Sequence, residues 1–138
     1  MTDPFIIDSS VGIGWVHPSQ ANELTKQLLE AAKGGAAIYV PSLWHLEIAN
    51  TLLVFVRRKL ITEAQREVGL TLLSQLRIII DDDTNRLAFS AISELASKHS
   101  LSAYDAAYLE LARRKSLPLA TRDEALKKAA KKSGIRVL

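Results

Sequence analysis

Four acidic residues, Asp8, Glu47, Asp105 and Asp123, each stand in an apolar or helix-starting context. Oxygen donors in that number are what hard divalent cations bind. The apolar run Phe5-Ile6-Ile7 ends in Asp8, and Leu46-Glu47-Ile48-Ala49 sets a carboxylate among core-type side chains. A charge so placed is costly unless something cationic compensates it. Four carboxylates brought close together would also repel and raise one another's pKa values. Mg²⁺ or Mn²⁺ would relieve that repulsion while keeping waters and binding substrate phosphates.

Each acid also has a purely local reading. Asp105 follows Ser102 by three residues, a Ser-x-x-Asp capping arrangement. Thr121-x-x-Glu124 reads as a capping box in which Glu124 is the partner, leaving Asp123 free to face a ligand. Asp8 also suits the start of a turn, and Glu47 a surface position on its helix. Asn50, three residues after Glu47, shares its helix face and is placed to share a ligand or order a water.

What favours a shared site is the set of elements that must position these residues. Strand-like apolar runs bounded by breakers occur at residues 5–8, 38–41, 77–80, 117–121 and, shorter, 135–138. Helical patterns fill the gaps. One spans residues 19–33 and stops at Gly34-Gly35, and one is capped by Ser42 and reaches Arg57-Arg58-Lys59. Others start at the Thr62-x-x-Gln65 capping box and near Thr84 and Ser102, and the last spans residues 122–132, closed by Ser133-Gly134. Short apolar strands alternating with helices predict an α/β fold, a three-layer α/β/α sandwich around a parallel sheet. Sites in such sheets form beyond the carboxyl ends of the strands. Asp8 and Asp123 lie at such ends, and Glu47 lies on the helix leaving the strand that ends at Pro41. Asp105 lies in the first turn of the helix that feeds the strand at Leu117.

Composition narrows the class. The chain has 138 residues, a size suited to one domain over 1–138. Cysteine is absent, which excludes disulfides and thiolate metal sites and makes the cytoplasm the expected compartment. No basic leader or long apolar run is present, so neither export nor a membrane is expected. A net charge of +3 and a pI near 9.3 favour a polyanionic partner, most of all if the acids are gathered in a metal site and the bases left on the surface.

The acids lie in segments that carry a family likeness: Ile6-Ile7-Asp8-Ser9-Ser10, Glu47-Ile48-Ala49-Asn50-Thr51-Leu52, Leu101-Ser102-Ala103-Tyr104-Asp105-Ala106-Ala107-Tyr108-Leu109, and Leu119-Ala120-Thr121-Arg122-Asp123. Across nearly its whole length the chain resembles PIN-domain ribonucleases, especially the VapC-type toxins of toxin–antitoxin pairs. The resemblance implies strand order 3-2-1-4-5, Mg²⁺ or Mn²⁺ at the acidic pocket, and endonucleolytic cleavage of structured RNA such as transfer or ribosomal RNA. It also implies a homodimer and inhibition by a small cognate antitoxin. In this reading Asp8 and Asp105 coordinate the principal ion, Glu47 and Asp123 bind a second ion or orient water, and Ser9, Asn50 and Thr121 form the supporting hydrogen-bond layer. Arg122 departs from the smaller or uncharged residue usual at its position; it either contacts a phosphate or faces solvent.

Two other readings remain. A phosphoacceptor receiver domain expects adjacent acids after the first strand and a lysine ending the last, whereas Ser9-Ser10 follows Asp8 here and Val137-Leu138 closes the sequence. A PIN-fold RNA-binding or regulatory module without strong activity would not need all four acids. The histidines His17, His45 and His99 share no metal-ligand spacing, and Trp15 and Trp44, though able to stack on bases, are expected as core or interface anchors. Asp81-Asp82-Asp83 precedes Thr84 and suits a helix N-terminus better than a metal. Lys127, Lys128, Lys131 and Lys132 form a basic helix face, either simply solvated or, with Arg122, touching RNA. Arg57-Arg58-Lys59 and Arg113-Arg114-Lys115 suit helix C-termini.

Overall fold

In the computed structural model, which describes residues 3–138, four short parallel strands form the centre: β1 (Phe5–Ile7), β2 (Ile38–Pro41), β3 (Ile78–Asp81) and β4 (Leu119–Ala120). Their order is β3-β2-β1-β4. Phe5 pairs with Ile38, Ile6 with Leu119, and Ile38 with Ile78. All three β1 residues are buried, as expected of a parallel strand covered on both faces.

The predicted fifth strand is reduced to a parallel bridge between Leu119 and Val137. It lies beside β4, where the order 3-2-1-4-5 puts it. Hydrogen bonds from Leu119 N to Arg136 O and from Leu138 N to Leu119 O hold it there.

Helices flank the sheet in two groups. The first comprises α1 (Ser9–Val16), α2 (Glu23–Lys33), α3 (Trp44–Arg57) and α4 (Glu63–Ser74), with α1 touching each of the others and β1. The second comprises α5 (Thr84–Leu87), α6 (Ser93–His99), α7 (Ala103–Lys115) and α8 (Glu124–Lys132), with α7 crossing β1, β2 and β4. Trp44, Ile6, Ile38, Leu109 and Leu119 are among the fully buried side chains between them.

Several boundaries differ from the sequence reading for identifiable reasons. The helix expected over 19–33 begins at Glu23. Asn22 accepts from Thr25 N while Thr25 accepts from Asn22 N, a capping box that outweighs the start suggested by Pro18, which opens only a short 3₁₀ turn at Pro18–Gln20. Ser42 does not cap α3 through its side chain. The expected Thr62 and Gln65 box is present. The helix starting at Thr84 is interrupted by a π turn over Ala88–Ile92. Gly134, at φ +76°, follows α8 as predicted.

Two features hold these elements in register with the sheet edge. A Cβ on Gly12 of α1 would lie 2.8 Å from both Ile48 Cδ1 and Trp44 Cζ2, and one on Gly69 of α4 would lie 2.9 Å from Val16 Cβ. The helices therefore approach more closely than an alanine allows. At the end of β3, buried Asp81 receives a two-pronged ion pair from Arg114, at 2.7 and 3.0 Å. Arg114 also binds buried Glu110 at 2.8 Å and Asp83 at 3.4 Å. The aspartate run thus serves structure, with Asp83 at the N-terminus of α5 as expected and Asp81 bound in addition to an arginine of α7.

Two stability measurements follow. Gly12→Ala should destabilise the fold by about 1–3 kcal/mol through overpacking, read as a lower urea midpoint with unchanged slope. Arg114→Met should cost about 2–3 kcal/mol at neutral pH, discounted because the arginine is 28% exposed, by leaving Asp81 and Glu110 without a counter-charge. Acidification should return part of that loss.

Candidate functional site

Asp8 follows the last residue of β1 and is 4% exposed. Its amide continues the ladder to Ala120 O at 3.2 Å, and its carbonyl accepts from Trp44 Nε1 at 3.2 Å. Its carboxylate has three donors: Ser10 Oγ at 2.6 Å and Val11 N at 3.3 Å on Oδ1, and the Thr121 hydroxyl on Oδ2. Two of these donors relay further. Ser10 Oγ accepts from Arg122 N at 2.9 Å, and Thr121 Oγ1 accepts from Asp123 N at 3.0 Å. Hydrogen bonds chained this way polarise one another, and they tie the loop after β4 to the acid after β1.

The other three acids reach the same region from separate helices. Glu47 and Asp105 lie in the first turns of α3 and α7. Asp123 caps α8 through Leu126 N at 2.9 Å, and Asp8 caps α1. All four carboxylates therefore sit at helix N-termini, whose partial positive charge favours anions.

That help is incomplete, and the four groups sense one another. Burial pushes the Asp8 carboxyl above the usual range, with Asp105's charge adding and the Ser10, Thr121 and Val11 hydrogen bonds opposing. Burial raises Glu47 too, with Tyr108 opposing and the charges of Asp105 and Asp8 adding. Asp105 is raised by burial, then by Asp123, with Ser102 opposing. Among the described residues no lysine or arginine forms an ion pair with any of them.

The donor set fits a divalent cation: hard oxygens only, with negative charge left uncompensated. Among the described residues, no three His, Asp or Glu side chains stand close enough to ligate an ion as they are. Binding would have to draw the carboxylates closer.

The expected supporting residues divide. Thr121 occupies the predicted supporting position, but through Asp8 rather than as the cap of α8; Asp123 takes the cap, so the box with Glu124 does not form. The first of the paired serines, Ser9, makes no side-chain hydrogen bond to another described residue, and Ser10 is the one bonded to Asp8. Asn50 is exposed and apart from these bonds. Arg122 is half-buried and donates to Gln20 Oε1 at 3.0 Å, which departs from the solvent-facing reading. Lys127 pairs with exposed Glu124, and Lys128 is exposed. His17 bonds Ser19, and His99 bonds Ser133.

The sequence reading missed two contacts. Trp44 was expected in the core, but its indole also braces Asp8. Tyr108, 1% exposed, donates its phenol to Glu47 Oε1 at 2.5 Å. The signal available for the second was the spacing Asp105 to Tyr108, which puts both on one face of α7.

The PIN domain family model matches residues 5–132. Among solved structures, PAE2754 from Pyrobaculum aerophilum is similar with TM-score 0.69 and 21% identity, covering 95% of this chain and 89% of that one. FitAcB from Neisseria gonorrhoeae gives 0.63 and 20%, covering 97% and 96%. VapBC2 from Rickettsia felis, solved bound to a DNA fragment from their promoter, gives 0.65 and 14%, covering 98% and 97%. At such identities the likeness concerns the fold. No curated protein matches the sequence.

A carboxyl with a raised folded-state pKa binds its proton more tightly when folded. Acid therefore stabilises the fold as pH falls through that raised value, and the gain is complete below about 4, the ordinary carboxyl range. Without divalent cations, Asp105→Asn should melt higher than the wild type at pH 7, and the gap should close on acidification. A gap independent of pH would contradict the shared charge.

Proposed function

The chain belongs to the PIN-domain family, and from that premise we propose that it is a metal-dependent endoribonuclease acting as the VapC-type toxin of a toxin–antitoxin pair. PIN domains are generally nucleases. The observation that carries the reading is the contrast between two groups of acids. Buried Asp81 and Glu110 are bonded to Arg114. Asp8, Glu47, Asp105 and Asp123 interact through their charges and have no cationic partner among the described residues.

In this reading Asp8 and Asp105 would hold Mg²⁺ or Mn²⁺, with Glu47 and Asp123 completing the oxygen set. Such an ion, when bound, supplies charge neutralisation at the scissile phosphate and a more acidic water. The chain's own residues prepare that chemistry. Ser10 and Thr121 hold both Asp8 oxygens in one orientation, a geometric fixing that supporting hydrogen bonds commonly provide at metal ligands. Trp44 and Ala120 anchor the Asp8 backbone. Arg122, Lys127 and Lys128 follow Thr121 along the loop and first turns of α8, where they would attract the RNA backbone.

The reading takes the chain as one PIN domain over 1–138, working in the cytoplasm. No helix among the described residues is long and apolar enough to cross a membrane. We assign it two protein partners, a second copy of itself and a small cognate antitoxin. Support comes from Leu46, Phe89 and Tyr104, which are 75%, 99% and 66% exposed. Leu46 and Tyr104 line one open trough with Leu43, Ala88 and Ile92, next in sequence to Glu47 and Asp105. Bare apolar surface of this kind marks interaction sites.

Incubated with folded transfer or ribosomal RNA, the protein should cut only when Mg²⁺ or Mn²⁺ is supplied and stop on addition of EDTA. Asp8→Asn should lower the rate by more than about 100-fold while keeping the circular dichroism of the wild type. Undiminished cleavage by the folded variant would overturn the assignment.

A further inference from the structure

Glu47 is held very differently from Asp8. Asp8 receives three donors on its carboxylate, whereas the one side-chain hydrogen bond to the Glu47 carboxylate among the described residues comes from Tyr108. Asp8 and Asp105 both push on Glu47 through their charges. A glutamate with three rotatable bonds and two like charges nearby would, if untied, swing toward solvent and gain rotamer entropy. What prevents this is one phenol reaching across from α7 to α3, 61 residues away in sequence.

The phenol's setting points the same way. Tyr108 is 1% exposed and packs in the core, where a phenylalanine of the same shape would serve as filling. Its hydroxyl makes no other hydrogen bond among the described residues, so the polar atom's partner is a carboxylate of the candidate site. Tyr108 also follows Asp105 by three residues on α7, so a single helix face offers both an acid and the group that restrains a second acid from α3.

We propose that Tyr108 is the positioning residue for Glu47: its phenol occupies Oε1 and holds the side chain inward, leaving Oε2 for a divalent cation. The proposal rests on the metal-dependent reading above and adds to it a residue that touches neither metal nor RNA.

The test uses the full chain and Mn²⁺ alone, with affinity measured by calorimetric titration. Tyr108→Phe should bind Mn²⁺ about 10-fold more weakly than the wild type. In a Glu47→Ala background the same change should cause no further loss, because the two residues act as a unit. If the tyrosine merely fills the core, Tyr108→Phe would leave Mn²⁺ affinity unchanged, which would overturn the proposal, as would additive losses in the double variant. A wild type that fails to bind Mn²⁺ overturns both this proposal and the metal-dependent reading; a wild type that binds it no more tightly than Tyr108→Phe overturns the tether alone.

A second measurement does not depend on that variant folding. The wild type, labelled with 3-fluorotyrosine at its three tyrosines, is titrated with Mg²⁺, and signals are assigned through Tyr39→Phe and Tyr104→Phe. The Tyr108 fluorine resonance should shift on saturation. A resonance indifferent to saturating Mg²⁺ would overturn the tether.

Discussion

A carboxylate buried at the end of the central strand governs the arrangement of this molecule. Asp8 cannot rest there unless its charge is answered, and the answer comes from two parts of the chain. The Ser10 hydroxyl and Val11 amide open α1 and the Thr121 hydroxyl follows β4, while Trp44 at the start of α3 holds the Asp8 carbonyl. Each element must be close for the acid to be tolerated. The parallel order with β1 between β2 and β4 is what puts them there. The small residue at Gly12 lets α1 nest against Trp44 and Ile48.

The same protein handles buried acid in two opposite ways. At the end of β3, Arg114 gives Asp81, Asp83 and Glu110 a shared cationic partner, and that group serves as structure. At the ends of β1 and β4, four carboxylates share four helix N-termini and rely on hydroxyls and dipoles alone. Hydrogen bonds and helix ends fix the positions of charges without removing the repulsion between them. The second group is therefore left with negative charge that has no cationic partner among the described residues, unlike the first. A candidate metal site is recognisable here as much by what its neighbours lack as by the acids themselves.

Much of this was legible in the sequence because it depends on local pattern. Apolar runs ending in breakers located the strands, and Thr62, Gln65, Ser102 and Gly134 marked helix ends correctly, since capping is decided within four residues. The four acids stood out as candidates, because a carboxylate set beside apolar or helix-starting residues is conspicuous whatever the fold. Where two local signals competed, the reading failed. Asn22 took the helix start from Pro18, and Asp123 took the cap from Thr121. The choice of Ser9 over Ser10 failed for another reason: the direction of each side chain depends on how α1 leaves β1. Asn50 shares a helix face with Glu47 in principle, yet it is exposed, because the rotation of α3 is set by Trp44, Ile48 and Leu52 packing inward.

What the sequence determined by itself was the alternation of strands and helices and the choice of the four acids as candidates, since both follow from short-range periodicity and from the cost of placing charge beside apolar residues. The tertiary structure decided which hydroxyls hold Asp8, that Trp44 braces its carbonyl, and that Tyr108 reaches Glu47 from another helix. Apart from the Ser10 hydroxyl, two positions from Asp8, these are contacts between residues 36 to 113 positions apart. Their existence depends on packing angles and side-chain directions fixed when the helices close on the sheet, and no local pattern encodes them.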